Sequence, residues 1–164
     1  MPGWVLGLVL AVVYLMVRLP GLLALPVFGD EAIYLRWAQL VRGGHAWVSL
    51  CDPKPPLHFW MIAAVFHLLD DPLAGARLIS VLSGMFSVPA IMGVCGEIAE
   101  LRTGDADSMS GRATGVLAEA LLIFCPFFAF YQRLATADAL FVLQMLLAIW
   151  LGLRWGRRVV DGRR

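Results

Sequence analysis

Long apolar blocks separated by short polar stretches limit this chain more than any other feature. They run from Trp4 to Phe28, from about Arg77 to Glu97, from about Ala113 to Phe130, and from about Ala139 to Trp155. Blocks of roughly 20 apolar residues match a bilayer hydrocarbon core of about 30 Å. A soluble domain would instead alternate its apolar residues or place them in stripes. Only 15% of the 164 residues are charged, where a soluble domain carries about 25%. The mean hydropathy is +0.79. The expected fold class is all-α: a polytopic membrane protein of about four transmembrane helices, with interfacial or re-entrant helices in its first outer loop.

The ends of these blocks carry further information. No Lys or Arg precedes the first block, which is too long for the core of a secretion signal, so it reads as an uncleaved spanning helix. Arg18 lies within it and is costly there unless it snorkels or faces protein or water. Pro20 and Pro26 are expected to bend or end the helix near the surface. Residues 29–42, GDEAIYLRWAQLVR, place Ile33, Trp37, Leu40 and Val41 on one helical face and Asp30, Arg36, Gln39 and Arg42 off it. That pattern predicts an amphipathic helix lying in the interface plane, ended by Gly43-Gly44. Residues 45–56 read as a loop.

An apolar run of about fourteen residues then begins at Leu57, directly after Pro53-Lys54-Pro55-Pro56. As a helix it would reach roughly 21 Å, too short for the hydrocarbon core. Asp70-Asp71-Pro72 make a poor buried continuation. A spanning run would give five spans and put the Asp30 and Asp138 loops on opposite sides. A run that does not span leaves four spans. The tail RWGRRVVDGRR carries five arginines, which the positive-inside rule places in the cytoplasm. Four spans then put both termini in the cytoplasm and Asp30, Glu31, Lys54, Arg133 and Asp138 at the outer face. The length argument favours this topology, with residues 57–69 forming a juxtamembrane or re-entrant helix. The chain reads as one transmembrane domain, 1–164, with an outer-face loop at 29–76 and a basic cytoplasmic tail at 156–164.

Several functions are excluded or left open. The net charge of +1 comes without a basic stripe, so no nucleic-acid partner is expected. Cys51, Cys95 and Cys125 are scattered, without metal-ligand spacing, and read as small apolar fillers. No cofactor is evident. The carboxylates could bind a divalent cation, but no full ligand set is visible. Two carboxylates, a lysine and an arginine at one membrane face suit a reaction on an anionic lipid. Lys54 could pair with a phosphate as a point charge, and Arg133 could do so bidentately. A carboxylate could take a proton from an attacking hydroxyl or amine. Each residue also has a plainer reading. Asp30 could cap the following helix, Glu31 could favour its dipole, Lys54 could snorkel, and Arg133 could pair with Asp138.

Taken in order, the motifs point further. Gly29-Asp30-Glu31-Ala32 is followed by Tyr34 and Ala38, and Lys54-Pro55-Pro56-Leu57 by Phe59 and Trp60. Ala76-Arg77-Leu78 opens a spanning helix, and Tyr131, Arg133, Ala135, Thr136 and Asp138 form Y-x-R-x-A-T-x-D. From about residue 4 to 155 the chain resembles the N-terminal part of the membrane glycosyltransferases that include lipid A aminoarabinose transferases and protein O-mannosyltransferases. Their fold is the multi-helix C-type glycosyltransferase fold. The resemblance implies a polyprenyl phosphate sugar as donor substrate and transfer to a lipid or protein acceptor at the outer face. It implies Asp30 as the leading catalytic carboxylate or acceptor-positioning group and Asp138 as the second outer carboxylate. Lys54 and Arg133 would hold the donor phosphate, with Glu31 and Tyr34 as further substrate-binding or supporting residues.

This sequence departs from the family pattern in three ways. His58 stands where an aromatic residue is more usual, the 98–112 loop is acidic rather than basic, and family members are several hundred residues long. A transferase incomplete without a second membrane chain is one expectation. A non-catalytic structural subunit of a larger membrane complex, or a truncated remnant, is the alternative. For the subunit, Gly84, Ala90, Gly93 and Gly96 would suit a small-residue docking face, though they equally suit packing within the fold. The expected location is the bacterial inner (plasma) membrane, with the site facing the periplasm or the outside.

Overall fold

Proline, capping residues and unpaired carbonyls set where the helices start and stop. The computed structural model describes residues 3–51, 54–66, 68–69, 71–105 and 108–162. Asp52, Pro53, Asp70, Asp107, Arg163 and Arg164 lie outside the described residues. Among those described, every regular element is helical: α1 Gly3–Arg18, α2 Gly29–Arg42, a 3-10 turn Ala46–Cys51, α3 Pro56–Val65, α4 Pro72–Thr103, α5 Met109–Phe124, α6 Pro126–Tyr131 and α7 Asp138–Asp161.

Two of the expected apolar blocks are broken. The block from Trp4 forms helix only to Arg18, because Pro20 has no N–H to continue it. The block from Ala113 breaks at Cys125, where Pro126 starts the short α6. The block from Arg77, by contrast, extends at both ends. Asp71 accepts hydrogen bonds from Leu73 N (2.8 Å) and Ala74 N (3.4 Å), Pro72 occupies the first turn, and Gly104 closes the far end at φ 74°. Asp71 thus ends the segment begun at Leu57 by starting α4. The 14 residues of α2 fall where the amphipathic pattern predicts, but the helix faces its protein neighbours differently. Glu31, Tyr34 and Ala38 are buried, while Ile33 is exposed. Of the apolar stripe, Trp37 and Val41 pack beside these buried residues, Trp37 stacking on Phe59 at 6.0 Å, while Ile33 stays outside.

The four longer helices alternate in direction. Gly7 of α1 lies beside Pro89, and Tyr14, further along α1, lies beside Gly84, so α1 and α4 run antiparallel. Arg18 reaches the last turn of α5. Ser80 bonds Thr136 O at the start of α7 (3.2 Å), while Arg157 pairs with Glu97 (2.9 Å) and with Glu100, so α4 and α7 run parallel. Arg18, Pro72, Phe124 and Asp138 consequently share one end of the bundle. Helices α2 and α3 pack there through Tyr34, Ala38, Phe59, Ile62 and Ala63 against Ala76 and Ile79. α3 does not cross to the other end.

Close approach at two glycines holds the bundle together. A Cβ at Gly84 would run into the Tyr14 hydroxyl, and one at Gly93 would come within 2.5 Å of the Trp150 ring. Ala90 is buried between them. Gly84 and Gly93 of α4 are thus taken up by α1 and α7 of the same chain. The acidic 98–112 region is also partly explained, because Arg157 from the basic end of α7 sits on Glu97 and Glu100.

The outside of the bundle is apolar. Leu8, Val12 and Met16 on α1, Leu117 and Leu121 on α5, and Phe141, Met145 and Trp155 on α7 are exposed. Buried positions of α4 instead include Arg77, Ser80, Ser83 and Ser87. Apolar exteriors of this extent belong in contact with lipid or protein. By length and composition, Pro72–Thr103 and Asp138–Val160 can cross a membrane. At 1.5 Å per residue, α4 is roughly 48 Å long and α7 roughly 36 Å, each longer than the hydrocarbon core.

Candidate functional site

Broken helices leave carbonyls without partners, which is costly in a low-dielectric setting. Three arginines satisfy them at the end where α2 and α3 pack. Pro126 removes the N–H that Leu122 O would have bonded. Arg18 Nη2 donates there instead (3.1 Å) and to Ile123 O (2.8 Å). Arg18 is fully buried and lies 4.9 Å over the Tyr14 ring. It therefore faces protein rather than snorkelling. Arg133 does the same for the end of α1, donating Nη2 to Val17 O (2.6 Å) and Pro20 O (3.1 Å). A positive charge at each helix C-terminus is also favoured by the dipole.

Arg77 goes furthest. Its Nη1 donates to Leu22 O (2.8 Å) and Leu25 O (3.0 Å), and its Nη2 to Pro26 O (3.0 Å). Its Nε and Nη2 grip Glu31 Oε1 and Oε2, each at 2.8 Å. Glu31 also accepts from Phe28 N (2.8 Å) and Ala135 N (2.7 Å). Both side chains are fully buried. All five guanidinium N–H groups and all four carboxylate acceptor sites are used, the condition under which a buried ion pair is tolerated. Burial alone would raise the Glu31 carboxyl. The bonds from Arg77, Phe28 and Ala135 outweigh it and hold the group below the usual carboxylate range. Glu31 therefore joins α2, α4 and the segment before α7, with both oxygens engaged inside the chain.

Fixing Glu31 fixes its neighbours. Asp30 points out, half-exposed, and Lys54 Nζ lies 3.3 Å from its Oδ1. The Lys54 ammonium also sits 4.6 Å over the Tyr34 ring. Tyr34 is buried against His58 (5.1 Å, edge-on) and Phe59 (5.3 Å). Its phenol is raised above the usual range by burial, against the pull of Lys54, with Asp138 and Asp30 adding to the rise. His58, fully buried, is driven down to about 4 by burial, against the Ala135 backbone and Asp138. At neutral pH it is thus an uncharged packing group. Asp138, exposed at the start of α7, is near enough for its charge to act on Tyr34.

Asp30, Lys54, Tyr34 and Asp138 form one cluster around the tyrosine ring, and Arg133 stands at the same end. Arg133 does not pair with Asp138. Its Nη2 is occupied by the carbonyls of Val17 and Pro20, and its Nε is buried. Among the described residues, no group of three or more His, Cys, Asp or Glu could hold a metal ion. An open cavity of about 390 Å³ adjoins Asp138 between α6 and α7.

The ordered motifs and this cluster coincide with a known pattern. A family model described as dolichyl-phosphate-mannose-protein mannosyltransferase matches residues 53–158, well over half of the chain. The chain belongs to this family. It is a membrane glycosyltransferase-like chain, corresponding to an N-terminal part. Comparison with curated proteins and with solved structures gives no match. The family match takes in Lys54, Arg77, Arg133 and Asp138 and begins after Asp30, Glu31 and Tyr34. These three join the matched residues through contact: Asp30 with Lys54, Glu31 with Arg77 and Ala135, and Tyr34 with His58.

Reading the sequence for chemistry passed over Arg77 and Arg18 as organisers. The signal was present, since each is an arginine within an apolar run with a helix-breaking proline elsewhere in the sequence. Only the fold pairs Arg18 with Pro126 and Arg77 with Pro26.

Proposed function

We propose that this chain spans the membrane four times and supplies one corner of a site that transfers a sugar from a polyprenyl phosphate to a lipid or protein acceptor at the outer face. The observation that carries the reading is the Asp30–Lys54 pair over Tyr34, on the same bundle end as Arg133 and Asp138. Lys54 and Arg133 bind the donor phosphate. The Asp30–Lys54 pair is exposed, and such pairs contribute only about 0–1 kcal/mol. The monoanionic phosphodiester of the donor can therefore take the lysine from Asp30 at little cost. The released carboxylate then accepts the proton of the acceptor's hydroxyl or amine as that atom bonds the anomeric carbon. The bond from that carbon to the phosphate oxygen breaks, and polyprenyl phosphate leaves with the electron pair. Asp138 is the second carboxylate, and Glu31 holds the backbone frame.

The four-span topology draws support from the alternating helix directions and from α3 remaining at one end. It puts both termini in the cytoplasm, and the arginines of the tail agree with that. The location is the inner or plasma membrane.

The test uses membranes containing the full chain together with polyprenyl phosphate mannose as donor. Asp30→Asn is expected to abolish transfer while insertion is unchanged, and transfer at the original rate would refute the assignment. Cys51, exposed beside the Lys54 segment, is expected to react with a membrane-impermeant thiol reagent in intact cells. Labelling only after lysis would reverse the topology.

A further inference from the structure

One carboxyl lies inside the bundle without a partner. Glu119 of α5 is fully buried, and neither of its oxygens has a hydrogen bond. A Cβ placed on Gly7 of α1 would stand 3.9 Å from Glu119 Oε1 and 3.8 Å from Pro89 Cα of α4. The carboxyl therefore sits where α1, α4 and α5 meet. Cys95 of α4 is near enough to feel its charge, but no charged side chain is near enough to act on Glu119 in return. On α1 the titratable groups, Tyr14 and Arg18, stand about two and three turns from Gly7. On α5, Arg112 lies about two turns before Glu119. On α4, Arg77 is held by Glu31, and Glu97 and Glu100 by Arg157. An ionised carboxylate at this place would be an unpaired buried charge, which a folded core does not tolerate. A metal ion fits no better. Hard cations take about six or more oxygens, whereas the α4 side chains nearest Gly115, one turn before Glu119, are Met92 and Cys95. A proton does fit. Pro89, inside α4, removes the N–H that Met85 O would have bonded, which leaves an acceptor in this stretch of α4 for a protonated carboxyl.

A polar crevice of about 270 Å³ opens between α4 and α5 at the end of the bundle away from Asp30. Arg102, Thr103, Ser110 and Thr114 line it, and Cys95 is its lining residue nearest Pro89 along α4. Gly111 lines it too, and Gly111, Gly115 and Glu119 follow one another along one buried face of α5. The Met92 sulfur fills the place a side chain on Gly115 would take. Met92 thus stands between the crevice and Glu119.

We infer that Glu119 is a proton-binding site inside the bundle, held as the neutral acid and exchanging its proton past Met92 with water in the α4–α5 crevice. Hydronium in the crevice supplies the proton, and water takes it back on release, leaving the carboxylate. Release would set an unpaired charge among α1, α4 and α5. The packing of these three helices therefore depends on the proton supply at the end of the bundle away from Asp30. The assignment uses none of the residues of the glycosyl-transfer reading and stands or falls apart from it.

Infrared spectroscopy of the full chain in an ester-free detergent reads the proton directly. At about pH 7, carboxyls with ordinary values near 4 are ionised, so the carbonyl stretch of a protonated carboxyl reports a shielded one. Such a band is expected in the original chain, lost in Glu119→Gln and kept at a moved frequency in Glu119→Asp. The Asp variant carries the test by itself if the Gln variant does not fold. No band in the original chain, or a band that neither substitution alters, would overturn the site. A band that appears only after a metal chelator is added would also overturn it, in favour of a bound metal ion. Transfer into D2O follows the route, because exchange of the proton shifts the band. Met92→Ala is expected to speed that shift tenfold or more, and Thr114→Leu, on the crevice wall, to slow it. Rates unchanged in both variants would overturn the crevice as the path.

Discussion

Replacing Glu31 with Gln tests the frame on which the whole site depends. The change preserves shape but removes the charge and turns one oxygen into an NH2 group. Glu31 Oε1 now accepts from Arg77 Nε and Ala135 N, and Oε2 from Arg77 Nη2 and Phe28 N. Whichever way the amide is placed, its NH2 faces two N–H donors. Two bonds are lost outright, and the Arg77 guanidinium stays buried without its counter-charge. Breaking a buried pair by removing one partner costs about 3–5 kcal/mol. For a chain of this size that corresponds to a fall in Tm of roughly ten degrees. Tryptophan fluorescence of the detergent-solubilised protein would follow it. Arg77→Met should cost at least as much, because it also strips the carbonyls of Leu22, Leu25 and Pro26 of their donor. Adding Glu31→Leu to Arg77→Met should then cost little more, since the pair is already gone. A Glu31→Gln protein melting within a degree of the original would refute the reasoning. So would full additivity of the two losses.

Other outcomes follow from the same contacts. Gly84→Ala should destabilise the bundle by about 1–3 kcal/mol, and Tyr14→Leu should relieve much of that in the double variant. A thermal melt that does not change would remove the α1–α4 contact from the argument. His58 links stability to pH. Its folded-state value near 4 lies below an unfolded value of about 6.5, so the unfolded chain takes up the proton first. Stability should fall as pH drops from about 6.5 to 4, and His58→Phe should flatten that slope in a melt-versus-pH series. At the far end of the bundle, Arg157→Ala removes partly exposed pairs with Glu97 and Glu100. Its cost should be about 1 kcal/mol or less and should shrink at high salt.

The sequence was legible where one local pattern decides the outcome. Apolar block length gave an all-helical chain with membrane-crossing segments, the amphipathic period gave α2, and Pro-Lys-Pro-Pro followed by too few apolar residues gave a short α3. Ordered motifs gave the family. Pro20 ended α1 as its position led one to expect, but the sequence missed the break after α5, because an apolar block does not reveal whether a proline's orphaned carbonyls will find a donor elsewhere. It left open which residues of α2 pack on the protein. In a bilayer the apolar stripe can face lipid, so Glu31 goes inward while Ile33 stays out.

What the sequence by itself determined, then, was which segments are helices and which residues are chemically able to act at a membrane face. Those follow from interactions within a few residues along the chain. Only the tertiary structure decided that Glu31 is clamped by Arg77, 46 residues away, that Arg18 serves a break 104 residues on, and that Asp30 meets Lys54 over Tyr34. A buried charge has no stable place except beside its partner. Which partner that is depends on how the helices alternate and pack, and no stretch of sequence holds both halves of the pair.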